Sequence, residues 1–207
     1  MRTRTALAAG AAAVLIALGS VVTVAAAGGR ESAAAPAVPA ADSADAGFAR
    51  YMAVHHQQAV EMSFLVRDST DDEEIRTLAY DIANTQANQR GMMLGWLDLW
   101  GLPKVSSDGP MAWMGMRSEP GKDGALMPGM ATKAELDRLR KTEGEAAEIL
   151  YLRLMTAHHK GGIHMAEGCV SACEVEAEHR LAKGMVEAQQ SEIDLMAELL
   201  RKRGVRE

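Results

Sequence analysis

Two patterns divide the chain. After Arg2 and Arg4, residues Thr5 to Gly29 carry no charge, whereas from about residue 44 apolar and polar side chains interleave with a helical period. Six prolines, at 36, 39, 103, 110, 120 and 128, leave two long proline-free stretches, 44–102 and 131–207. Both are rich in Ala, Leu, Met, Glu, Gln and Arg, the better helix formers, and neither holds an alternating run of β-branched residues. The pattern predicts an all-α chain. A first helix is expected over 45–67. Thr70-x-x-Glu73 reads as a capping box opening a second, which Gly101 and Pro103 end after Trp100. Thr132-x-x-Glu135 opens a short helix that leads through Gly144 into a third long one. Ser171-x-x-Glu174 reads as the cap of a fourth, closed near Gly204.

The pattern also repeats. Met52-x-x-His55-His56, ending at Met62, returns 103 residues later as Met155-x-x-His158-His159, ending at Met165. The same offset carries Leu78, Ala79, Gln86, Met93, Leu97 and Gly101 onto Leu181, Ala182, Gln189, Met196, Leu200 and Gly204. A register held without a gap over two segments indicates a duplicated helix pair. The expected organisation is repeat one at 44–101, a methionine-rich linker at 102–131, and repeat two at 132–207. Two antiparallel pairs joined by one long crossover describe a ferritin-like four-helix bundle. The linker holds Met111, Trp113, Met114, Met116, Met127 and Met130. Its methionines either fold back over one end of the bundle or capture metal through their thioethers.

The uncharged N-terminal run, with Ala25-Ala26-Ala27 as a small-residue cleavage site, reads as a signal peptide over 1–29. Its length also suits an uncleaved membrane anchor. Either reading sends the domain outside the cytoplasmic membrane, and residues 30–43, with Pro36 and Pro39 among alanines, read as a flexible tether. Twenty-eight acidic residues against 22 basic ones give a net charge of −6, the wrong sign for a nucleic-acid binder. Cys169 and Cys173 are the only cysteines. They could close a small disulfide loop or chelate a soft metal; Val66 and Thr70 occupy the matching positions of the first repeat, which favours the former.

On a wheel of about 100° per residue, Met155, His158, His159, Gly162 and Met165 fall within one arc of about 120°, the width of a core-facing stripe. Met52, His55, His56, Ala59 and Met62 project alike. Adjacent histidines point about 100° apart, so one of each pair is expected to face the core and the other its edge. His164 falls opposite the stripe. On the partner helices, Gln86 with Met93 and Gln189 with Met196 share apolar stripes, and the amides would orient a metal-bound imidazole through its second nitrogen. Buried histidines and methionines are common as plain core residues. Two copies in one register, beside a methionine-rich loop and an export signal, point instead to a metal. The expected ligands are Met52, His55, His56 and Met62 in one half and Met155, His158, His159 and Met165 in the other. Met127, Met130, Gln86, Gln189, Met93 and Met196 stand as accessories. Imidazole and thioether without a carboxylate set suit Cu(I). Because neutral imidazole is the ligating form, affinity is expected to fall below about pH 6.5.

Met52-Ala-Val-His55-His56-Gln-Gln-Ala59-Val-Glu61-Met62, the linker string Met127-Pro-Gly-Met130, and Met155-Thr-Ala-His158-His159-Lys-Gly-Gly162-Ile-His164-Met165 together resemble the exported family known as domain of unknown function 305. Gln189-x-x-Glu192-Ile193-x-x-Met196 matches as well. The resemblance implies a ferritin-like bundle, an extracytoplasmic address and, in some members, copper binding linked to metal tolerance. Gln89-Arg90 stands where the second repeat has Glu192-Ile193, and Gly161-Gly162 is expected to loosen the third long helix, so the halves need not bind equally. The leading expectation is an extracytoplasmic, non-enzymatic Cu(I) scavenger, buffer or chaperone, secreted or tethered to the membrane. A helical partner-binding module without metal is the alternative. A di-iron oxidase fits less well, because of its Glu-x-x-His motifs only Glu176-x-x-His179 is present.

Overall fold

The computed structural model describes residues 38–117 and 122–205. The segment read as a signal or anchor, and residues 30–37 of the tether, lie outside the described residues. Among the described residues there are five α-helices and no strand: α1 (Ala44–Ser69), α2 (Glu73–Trp100), α3 (Lys133–Arg140), α4 (Gly144–Ala172) and α5 (Glu176–Lys202). None is long and apolar enough to cross a membrane. The duplication is visible in the boundaries: shifted by the offset of the repeat, α2 falls on 176–203, within one residue of α5.

Local chemistry sets the ends. The Ser43 hydroxyl accepts the Ala46 N–H and starts α1. Gly101, at φ 66°, closes α2 in the left-handed conformation as expected. Thr132 and Glu135 form the predicted capping box of α3. The other two predicted boxes do not form. Asp72, not Thr70, caps α2, its carboxylate accepting the Ile75 N–H at 2.9 Å. Thr70 instead turns its hydroxyl to Glu148. Ser171 lies inside the last turn of α4 and bonds back to the Glu167 carbonyl, while Asp45 of α1 accepts the N–H groups of Glu174 and Val175 just before α5.

The helices pair as α1 with α2 and α4 with α5, and α1 packs on α4 through the middle of the molecule. Apolar burial falls into two clusters. One gathers Met62 and Val66 of α1, Ile75, Leu78 and Ile82 of α2, Tyr151 and Met155 of α4, and Met196 of α5. The other gathers Phe48 and Met52 of α1, Met93 and Leu97 of α2, Met165 and Cys169 of α4, and Met185 of α5. The C-terminal half of α1 therefore meets the N-terminal half of α4, and the reverse, so the two run antiparallel. Burying faces of this kind, at about 25 cal/mol per Å² of apolar surface, supplies the main stabilisation. The linker joins the second cluster: Met111 and Met127 are buried in it, with Trp113, Met114 and Met130 packed against it. Its methionines thus cover one end of the bundle, except Met116, which is exposed.

Candidate metal centre

Between the two clusters lies a layer of four imidazoles, His55, His56, His158 and His159, each with no exposed surface. The motifs sit in uninterrupted stretches of α1 and α4, and the antiparallel crossing brings them together. His55 and His158 face each other with ring centroids 3.7 Å apart, and His158 Nε2 donates to the His55 carbonyl at 2.9 Å. His56 and His159 turn the other way, toward α2 and α5. His56 Nε2 donates to Gln89 Oε1 at 2.8 Å, and His159 Nε2 to Glu192 Oε2 at 2.6 Å. One member of each pair is expected at the edge of the core; all four are fully buried, and His56 and His159 are the ones that reach half-buried partners. The interior is wide enough for both directions. His164 is exposed, as expected.

These bonds select the tautomers. An imidazole that donates from Nε2 keeps its lone pair on Nδ1. Nδ1 of His56, His158 and His159 is buried with no hydrogen-bond partner, and neither nitrogen of His55 makes a bond of regular geometry. Burial, reinforced by the neighbouring imidazoles, lowers the His55 pKa to about 3 and holds His158 well below the usual histidine value. The Pro128 carbonyl near His55 offsets this only in part. Burial likewise lowers His56 to about 4, against the opposing effect of Gln89. These three rings are neutral at physiological pH, the form that binds metal. For these rings a proton would therefore compete with a metal only well below the free-histidine value of about 6.5, the pH at which the sequence predicts the loss of affinity.

The orienting partners also differ from expectation. Gln89 and Glu192 hold the imidazoles, not Gln86 and Gln189 one turn earlier. Gln86 is buried with both amide atoms unpaired, and Gln189 Oε1 is likewise unpaired. The Gln189 amide lies against Gly162, where a Cβ would come within 2.4 Å of it. Gly161 and Gly162 do not loosen the helix, since α4 runs unbroken through them. Gly161 admits the linker instead: a Cβ there would stand 2.0 Å from the Pro128 carbonyl oxygen. On the opposite wall Gln58 pairs with both backbone groups of Ala131, at 2.6 and 3.0 Å. The Met127-Pro-Gly-Met130 string is thereby pinned between α1 and α4 beside His55. Sequence reasoning missed Gln58 altogether, and it marked Gln89 and Glu192 only as a difference between the repeats, not as imidazole partners. The last two are half-buried, off the apolar stripe, and only their shared offset from the histidines signals them.

The methionines divide by cluster rather than by motif. Met62, Met155 and Met196 lie on one side of the histidine layer; Met52, Met93 and Met165, with Met111, Met127 and Met185, lie on the other. Met130 is half-buried at the edge of the second group. Each motif thus contributes one thioether to each side. No three ring nitrogens converge: among the described residues, the grouping of three His, Cys, Asp or Glu donor atoms within 4.8 Å is Asp45, Cys173 and Glu178, elsewhere in the fold. Glu176 of the di-iron alternative is exposed and paired with Arg180.

A duplicated helical bundle with paired imidazoles and thioethers in its interior defines the class of protein. The chain belongs to the DUF305 family, described as a domain of unknown function, whose model matches residues 45–200. A candidate secreted DUF305 protein from Streptomyces coelicolor is 68% identical, with a TM-score of 0.76 over 81% of this chain and 98% of its own. A DUF305 fragment from Deinococcus radiodurans is 29% identical, with a TM-score of 0.63 over 77% and 96%. The Cu(II)-bound form of CopM is 23% identical, with a TM-score of 0.61 over 76% and 96%, a likeness of fold. Comparison with functionally curated proteins gives no match.

Proposed function

We propose that this protein binds copper outside the cytoplasmic membrane, taking Cu(I) between its two histidine–methionine motifs as a scavenger, buffer or chaperone. The observation that carries the reading is the layer of buried imidazoles whose Nδ1 lone pairs have no protein partner. Buried polar atoms are ordinarily paired, and leaving several orphaned costs stability unless a ligand occupies them. With no triad of nitrogens available, each ion takes one or two imidazoles and completes its shell with thioethers, a set that favours a soft monovalent metal. The ligands are His55, His56, His158 and His159 with Met52 and Met165 on one side and Met62 and Met155 on the other. Met93, Met127, Met130 and Met196 stand behind them. CopM, which has the same fold and is known in Cu(I)-, Cu(II)- and silver-bound forms, supports the reading. The candidate secreted relative and the charge-free N-terminal run support the location.

Anaerobic Cu(I) titration against a chromophoric chelator tests it. Met52→Leu with Met165→Leu, and separately Met62→Leu with Met155→Leu, replace sulfur at nearly constant volume, so the fold is retained. Each pair should weaken Cu(I) binding at least tenfold. Unchanged stoichiometry and affinity in both would remove the histidine–methionine layer from consideration.

A further inference from the structure

Where α4 ends and α5 begins, Asp45, Cys173 and Glu178 bring their donor atoms within 4.8 Å of one another. Cys173 is joined to Cys169 in a disulfide. Asp45 is almost fully buried and Glu178 has no exposed surface. Asp45 Oδ1 accepts two backbone N–H groups, at 2.9 and 2.8 Å, but neither Glu178 oxygen has a hydrogen-bond donor. Burial, and then the adjacent Asp45, raise the Glu178 pKa to about 9. Two carboxylates sharing a dry corner, with no cationic side chain paired to either among the described residues, require a cation between them. That cation is a proton or a metal ion.

The related corner of the other repeat shows what packing alone demands. The repeat offset places Glu148 on Asp45, Thr70 on Cys173 and Ile75 on Glu178. There Arg203, which also meets Asp72 at 3.1 Å, donates from Nε at 2.6 Å to Glu148, the one carboxylate among these three positions, which accepts from the Thr70 hydroxyl at 2.5 Å as well. Its charge is balanced and its second position is apolar. At the Asp45 corner a sulfur replaces the hydroxyl, a carboxylate replaces isoleucine, and Trp100 holds the position related to Arg203. The corner has gained a soft donor and a negative charge and lost its cation.

We propose that Asp45, Cys173 and Glu178 form a second metal site, opened by reduction of the Cys169–Cys173 disulfide and taking a borderline divalent cation such as Zn2+. A dithiol reductant passes two electrons and two protons to the S–S bond, leaving two cysteine thiols and its own cyclic disulfide. Zn2+ then displaces one proton from the Cys173 thiol and one from the Glu178 carboxyl, and both leave to solvent. The resulting thiolate and two carboxylates are ordinary zinc ligands, and water completes the shell while the Cys169 thiol stays protonated. With the disulfide closed, the sulfur is uncharged and the corner holds a proton. The site shares no residue with the histidine layer, so its fate is independent of the copper reading.

The full chain, with its disulfide intact, is compared with the same protein treated with a dithiol that is then removed anaerobically. Zn2+ competition against a chromophoric chelator and Co2+ absorption spectra are recorded for both. Reduction should add one Zn2+ equivalent and a thiolate-to-cobalt charge-transfer band. Glu178→Gln, isosteric with the protonated carboxyl, should weaken the added site at least tenfold, and Cys173→Ser should remove the band. No added equivalent on reduction would mean that the corner holds only a proton. Equal affinity in Glu178→Gln would mean that thiols alone bind. A band surviving in Cys173→Ser would assign the sulfur to Cys169. Any of these overturns the proposal.

Discussion

At the scale of the residue, the histidine layer links stability to pH. His55, with a folded pKa of about 3, and His56, at about 4, are neutral when folded but titrate near 6.5 when unfolded. Between those values the unfolded chain binds more protons, so stability rises with pH across that window and is lost as pH falls. The metal-free protein should therefore lose about 1.4 kcal/mol per pH unit for each such imidazole on acidification from pH 6.5 toward 4. Melting followed by circular dichroism from pH 8 to 4 checks this; a flat profile would place the imidazoles in contact with water. The two halves also differ in one group. Glu192 holds His159 where Gln89 holds His56, and a carboxylate partner makes a ligating imidazole more basic. Glu192→Gln should cost the second half about 10-fold or more in Cu(I) affinity while Gln89→Glu strengthens the first. Competition titration of both variants decides it, and identical affinities would show that the partner is structural. The repeated His-His and Met spacing was legible in the sequence. Gln89 and Glu192 were legible only as a difference between the repeats; their part as imidazole partners was not, because they flank the apolar stripe and reach the rings across the α1–α2 and α4–α5 contacts.

At the scale of the element, periodicity found every long helix, and the errors lie at junctions. Three Ser/Thr-x-x-Glu strings look alike, yet only Thr132-x-x-Glu135 caps a helix. Asp72 is at least as good an N-cap as Thr70, and the Thr70 hydroxyl finds a buried carboxylate across the fold. Ser171 loses the role to Asp45, 129 residues from Glu174, a partner no local pattern reveals. Glycines show the same limit. Gly161 reads as a weak point in a helix, yet it is the gap through which the linker passes. Gly161→Ala would drive a Cβ to 2.0 Å from the Pro128 oxygen, a backbone atom that cannot swing aside. It should destabilise the protein by about 1–3 kcal/mol. Gly184→Ala, in open space on α5, should instead stabilise it by up to about 1 kcal/mol. Urea unfolding of the two variants separates these signs, and equal effects would show that the linker is not pinned at Gly161.

At the scale of the whole molecule, the two ends of the bundle are built on one plan and finished differently. One end collects linker methionines, the disulfide and the Asp45–Glu178 pair. The other is drawn together by Arg203, whose guanidinium meets Glu148 of α4 at 2.6 Å and Asp72, the cap of α2, at 3.1 Å. Glu148 also receives the Thr70 hydroxyl from the end of α1, so residues from all four long helices or their caps meet at one ion pair. In the sequence Arg203 is one of several charges near the C-terminus and gives no sign of burial. In the fold its side chain and that of Glu148 are only 7% and 8% exposed. A buried pair adds little over an apolar replacement of both members, but removing one strands the other. Arg203→Met should therefore cost about 3–5 kcal/mol, more than any of the surface pairs, which are worth about 1 kcal/mol or less. Adding Glu148→Gln should recover a large part of that loss, because the stranded charge is gone. Chemical denaturation of the single and double variants measures both. If the double variant were no more stable than Arg203→Met alone, the loss would lie in the packing of the arginine stem rather than in the uncompensated carboxylate.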